Sequence, residues 1–87
     1  MDTRKTIGWN VRRFRVERGL SQERLALEAD IDRSYVGRIE RGTENVTVAA
    51  LEAIAKTLGV PVARLFAESD DTNPPPPLPS GRRRKLI

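Results

Sequence analysis

The stretch QERLALEADIDRSYVGRIER, residues 22–41, decides the fold. Its apolar residues form two short helical sets, Leu25, Ala26 and Ala29, then Val36 and Ile39, with a single tight turn between them. Ser21 precedes the first set and Asp32 the second, and the side-chain oxygen of either type can accept a backbone N–H at a helix start. Two helices joined so tightly limit residue size. Ala26 is small where the two helices must approach, and Ile31 plugs the turn. The turn needs a left-handed residue, commonly glycine. Here Asp30 takes the place, one of the few other types that visit that region at tolerable cost.

Outward from this pair, Gly19, Gly42 and Gly59 each follow a stretch with helical apolar spacing and predict helix ends. Ile7, Val11 and Phe14 share one face of a first helix over about residues 3–18. Thr47 can cap a fourth helix with Val48, Leu51, Ile54, Ala55 and Leu58 as its apolar stripe, and Pro61 suits the first turn of a short fifth ending near Phe66. No alternating strand pattern interrupts them, so residues 1–66 read as an all-α domain of five helices. From residue 67 the composition changes to acidic residues, four consecutive prolines and a basic end, which reads as a disordered tail, Pro-rich and basic. Trp9 and Val16 form a second apolar strip on the first helix. Packing on the fifth helix or the segment after it, stacking with a tail proline, or contact with a partner subunit would each use it.

Composition narrows the chemistry. A chain of 87 residues has room for one modest core. It contains neither cysteine nor histidine, which removes disulfides, thiolate metal sites, the commonest general base and the best thiol nucleophile. Glu17, Glu28 and Asp32 show no spacing of a paired acid and base, so neither an enzyme nor a cofactor is expected. No apolar run is long enough for a bilayer and the start leads into an amphipathic stretch, so no membrane association and a cytoplasmic location, on the bacterial nucleoid, are expected. The net charge is +4, and the terminal run Arg82–Lys85 carries all of it, leaving 12 basic and 12 acidic residues in residues 1–81. Attraction for a polyanion must therefore come from where the charges stand. The terminal run adds salt-sensitive affinity for such a partner, or serves only as a solubilising end.

The ordered set Ile7-Gly8, Arg15, Gly19-Leu20-Ser21-Gln22, Leu25-Ala26, Ser34-Tyr35, Arg38-Ile39-Glu40-Arg41-Gly42, Asn45, Leu51, Ala55 and Leu58-Gly59-Val60 resembles the phage-repressor and Cro type of helix-turn-helix, the xenobiotic-response-element family of bacterial regulators. The resemblance spans about residues 5–66, with the helix-turn-helix at about 21–41. It implies a lambda-repressor-like DNA-binding domain whose third helix, about 32–41, lies in the major groove while the first turn of the second faces phosphates. Arg33, Ser34, Gly37 and Arg38 then occupy the base-contacting positions, with the two arginines as the best guanine readers. Gly37 fits either a close approach of DNA or a tolerated glycine without a role.

The same resemblance assigns phosphate contacts to Gln22, Tyr35, Arg41, Thr43, Asn45 and Thr47. Tyr35 equally fits a packing residue with a solvated hydroxyl. Arg15 and Glu40 match the family's interhelical ion pair, with a structural role. Asp32 would be repelled by phosphate and reads better as a cap. Glu44 departs from the neutral or basic residue expected in its loop, and Arg24 from the glutamate that would complete a capping box. The function implied is that of a transcriptional regulator, a repressor, bound as a homodimer to an inverted-repeat operator in double-stranded DNA. The alternative is an antitoxin or adaptor holding a protein partner through the Trp9 strip or the tail.

Overall fold

The computed structural model describes residues 2–68. Five helices run in the order α1 (Thr3–Glu17), α2 (Gln22–Ala29), α3 (Arg33–Arg41), α4 (Val48–Leu58) and α5 (Val62–Leu65), and no strand occurs among the described residues. The expected tail lies, from Ser69 onward, outside them. No described helix is long and apolar enough to cross a membrane.

Side chains close three of the helix starts. Asp2 accepts the Lys5 N–H at 2.9 Å, Ser21 that of Arg24 at 2.9 Å, and Thr47 that of Ala50 at 3.1 Å. The Lys5 N–H, with help from the nearby Arg4 and Lys5 charges, holds the Asp2 carboxyl below the usual carboxylate range. This cap is therefore in place at neutral pH and is lost only as pH falls through that lowered value. The side-chain cap expected at Asp32 is not made. Asp32 has the extended backbone of a cap residue, but its carboxylate makes no bond to the start of α3 and accepts the Ser34 hydroxyl instead. A hydroxyl two residues away competes locally with the helix N–H groups for the same oxygens.

The helix ends follow one pattern. Gly19, Asp30, Gly42 and Gly59 all have positive φ, and the next residue returns its N–H to a carbonyl in the last turn: Leu20 to Arg15, Ile31 to Ala26, Thr43 to Arg38 and Val60 to Ala55, at 2.9–3.1 Å. Leu20, Ile31 and Val60 then pack on the core, whereas Thr43 is exposed.

The core is built from Ile7, Val11 and Phe14 of α1, Leu25, Ala26 and Ala29 of α2, Val36 and Ile39 of α3, Leu51, Ile54, Ala55 and Leu58 of α4, and Leu65 of α5. Val48 does not join it. It is 69% exposed, and Ala50 is buried in the first turn of α4 instead. The strip of Trp9 and Val16 is half-buried, and neither residue packs on the core. A polar residue, Asn10, fastens α1 to α5: it is buried, and its amide donates to the carbonyls of Leu65 and Ala67 at 2.9 Å each.

Contact between α1 and α3 depends on Gly8. A Cβ there would stand 2.1 Å from the carbonyl oxygen of Ile39 and 2.9 Å from that of Glu40, so no side chain fits without moving one helix backbone. Gly37 differs, since the nearest atom to a Cβ is the mobile Arg41 Nη1 at 3.3 Å. Gly8→Ala should therefore destabilise the fold by about 1–3 kcal/mol despite its better helix propensity. Gly37→Ala should leave stability unchanged or raise it by up to ~1 kcal/mol. Urea unfolding of the two variants checks both.

Candidate nucleic-acid interface

The outer face of α3 is positioned from below by one ion-pair cluster. Arg15 of α1 grips Glu40 with two parallel bonds, Nε to Oε2 at 2.6 Å and Nη2 to Oε1 at 3.0 Å. The two side chains are only 13% and 5% exposed. Arg15 Nη1 also donates to the Leu20 carbonyl at 2.8 Å, and Gln22 Nε2 donates to Glu40 Oε1 at 3.0 Å. One carboxylate thus joins α1, the turn after it, the start of α2 and the last turns of α3. A buried ion pair is stable only when its remaining hydrogen-bonding capacity is met, and here Leu20 and Gln22 meet it.

Above this support stand Arg33, Ser34 and Arg38. Arg33 is exposed in the first turn of α3 and has no ion pair among the described residues. The Ser34 proton is directed to Asp32, so its oxygen is left as an acceptor, and Arg38 Nη1 approaches it at 3.5 Å. Arg38 Nε donates to Glu44 Oε1 at 2.6 Å while the guanidinium lies 5.8 Å from the centre of the Tyr35 ring. Glu44 thereby keeps the Arg38 guanidinium above its ordinary pKa and firmly charged. Gly37, expected to face DNA, is buried, with Arg41 Nη1 and Gln22 Oε1 lying over it. In this conformation it supplies room for those side chains and offers no surface of its own.

The expected phosphate-binding residues fall into two groups. Arg41, Thr43, Asn45 and Thr47 are exposed along the end of α3 and the following loop. Each of the last three also has a structural bond: Thr43 donates to the Arg38 carbonyl at 3.3 Å, Asn45 accepts Arg4 Nη1 at 3.5 Å, and Thr47 caps α4. Gln22 and Tyr35 are more committed. The Gln22 amide serves Glu40, and the half-buried Tyr35 packs on the core with its hydroxyl accepting the Thr47 N–H at 3.2 Å. The Tyr35 proton and one Gln22 amide proton remain to be donated.

Residues 11–65 match the family described as helix-turn-helix. The chain belongs to that family. This helix-turn-helix protein is 39% identical over 72 residues to an HTH-type transcriptional regulator of Sinorhizobium fredii, spanning 83% of this chain and 94% of the other. It is 47% identical over 58 residues to the control protein C.BamHI of Bacillus amyloliquefaciens, spanning 66% of this chain and 72% of that one. Among solved structures, C.Esp1396I bound to a 19 base pair DNA duplex matches with a TM-score of 0.69 at 33% identity, covering 76% of this chain and 88% of that chain. The all-α fold and the resemblance to phage-repressor and Cro-type regulators are thus borne out.

Three members of the helix-turn-helix site have structural roles that the sequence does not show. Gln22 completes the Glu40 cluster, and the signal for it was the unused acceptor capacity of a carboxylate facing a single arginine. From sequence Glu44 reads only as a departure from the neutral or basic residue expected in its loop, because its partner Arg38 lies across a helix end where no register rule applies. Gly8 belonged to the family pattern without a stated purpose. Arg24, which stands where a glutamate would complete a capping box, is paired with Glu28 on its own helix. Glu40→Ala should destabilise the protein by about 3 kcal/mol, because it leaves the Arg15 charge under cover without a partner. Gln22→Ala should cost less, about 1–2 kcal/mol. Thermal and urea unfolding of the two variants give the ranking.

Proposed function

We propose that this helix-turn-helix protein is a sequence-specific double-stranded DNA-binding transcriptional regulator, acting as a repressor. Its third helix would enter the major groove, and two copies would occupy the half-sites of an inverted-repeat operator about one helical turn apart. The observation carrying this reading is the exposed face of α3, where Arg33 and Arg38 project from a helix whose angle is held by the buried Arg15–Glu40 pair. Such a pair of guanidinium forks suits the O6 and N7 acceptors of guanine. The DNA-bound C.Esp1396I and the 40%-identical immunity repressor of Bacillus phage phi105, of which this chain spans 44%, support the same direction. Relatives named as regulators and control proteins favour regulation over an antitoxin or adaptor role, and over catalysis.

Within this reading Arg33, Ser34 and Arg38 contact bases, Ser34 as an acceptor. Arg41, Thr43, Asn45, Thr47, the Tyr35 hydroxyl and the second Gln22 amide proton contact phosphates. Gly37 contributes by admitting the Arg41 and Gln22 side chains. A cytoplasmic location on the nucleoid follows from such a partner.

Selection of bound duplexes from a random pool, followed by titration of the preferred duplex and its single-base variants, tests the proposal. Arg33→Ala and Arg38→Ala should each remove about 1–3 kcal/mol of discrimination at one base pair. Arg41→Ala should weaken all sequences alike and flatten the dependence of log K on log salt by about one unit. Unchanged sequence preference in both α3 arginine variants would show that α3 is not the reader.

A further inference from the structure

Glu44 is an unexpected neighbour for a DNA-reading arginine. It is an acidic residue at the rim of a surface meant to meet phosphates, and its side chain is 23% exposed beside an Arg38 side chain that is 43% exposed. A carboxylate in that place repels the backbone of any bound duplex. Its position makes sense through what it does to Arg38. An unrestrained arginine samples many rotamers and loses that freedom on meeting a base, which lowers both affinity and selectivity. Here three contacts define the guanidinium: Glu44 Oε1 takes Nε at 2.6 Å, the Tyr35 ring lies at 5.8 Å from the charged carbon, and Ser34 Oγ stands at 3.5 Å from Nη1. With Nε occupied, the Nη1 and Nη2 edge remains as the pair of donors for a base. Guanine, with two acceptors side by side, is the base that such an edge fits.

We propose that Glu44 is a specificity-determining positioning residue, which clamps Arg38 so that it reads guanine end-on while giving up general affinity for DNA. The inference rests on the DNA-binding reading above. It assigns Glu44 two effects of opposite sign, a gain in discrimination through Arg38 and a loss in sequence-independent binding through its charge. A residue with a purely structural role would move both in the same direction.

The experiment compares wild type, Glu44→Ala, Glu44→Gln and Arg38→Ala, using full-length protein on the duplex preferred by wild type and on a duplex altered at the base pair where Arg38→Ala loses its preference. Wild type should favour guanine there by roughly 5- to 150-fold, the range of one bidentate arginine contact. Glu44→Ala should reduce that ratio by roughly threefold or more while binding the altered duplex more tightly than wild type does. Glu44→Gln, which keeps an acceptor for Nε but not the charge, should retain more discrimination and show the same tighter binding to the altered duplex. In an Arg38→Ala background, Glu44→Ala should change the ratio no further. Residue 44 lies in a loop outside the core, and unchanged circular dichroism and unfolding midpoints would confirm that the variants are folded. A guanine ratio that stays the same or rises in Glu44→Ala would overturn the proposal, the rise marking Glu44 as a competitor for Arg38. A wild type with no preferred sequence would instead overturn the DNA reading itself, and this inference with it.

Discussion

The presentation of α3 depends on keeping one carboxylate, Glu40, charged beneath a nearly complete cover of protein. Taking such a group out of water costs several kcal/mol, and a single cation rarely compensates unless its geometry is good and every remaining lone pair is used. The fork of Arg15 and the amide of Gln22 satisfy both conditions. Because these partners come from α1 and the start of α2, α3 cannot rotate or slide without leaving a buried charge unpaired. Gly8, two helical turns before Arg15 on the same helix, lets the backbones approach closely enough for the fork to reach. The apolar core holds the helices together, and this cluster sets the angle at which one of them faces outward.

Charge in this domain is distributed by task. Arg15 is committed to Glu40 and Arg24 to Glu28. Arg13, Arg18 and Arg64 surround the Phe14 ring at 4.6, 5.7 and 5.4 Å, and the first two also approach Glu17. Arg38 is shared between the outer face and Glu44, which leaves Arg33 and Arg41 as the cations of α3 without an acidic partner among the described residues. A chain whose first 81 residues sum to zero charge can still present a local positive edge, because Arg33 and Arg41 stand without an acidic partner among the described residues while other arginines are held in pairs away from that face.

Much of the fold was legible because its determinants are local. Ser21 and Thr47 cap the helices they precede, Asp30 takes the left-handed conformation its turn requires, and the apolar spacing of α1, α2 and α3 names the residues that are buried. What escaped depends on partners distant in sequence or on competition between neighbours. Asp32 had the chemistry of a cap, but the Ser34 hydroxyl claimed its carboxylate. Val48 lies on the apolar stripe by residue type and spacing, yet as the first residue of α4 it stays exposed. Asn10 is polar and therefore reads as exposed, yet it is buried and closes the end of α5. The reach from Arg38 to Glu44 bends around a helix end, and no periodicity encodes it.

The exposed Thr43 distinguishes the connection after α3 from the others. At three helix ends the residue after the left-handed position is apolar and docks on the core, so a change there disturbs folding. After α3 the corresponding residue faces solvent, and the chain returns to the core only at Val46. Residues 43–45 therefore lie beside the outward helix face while contributing little to the packed interior. Side chains there can be exchanged at small cost to folding, which retunes what that face prefers without disturbing the helical scaffold.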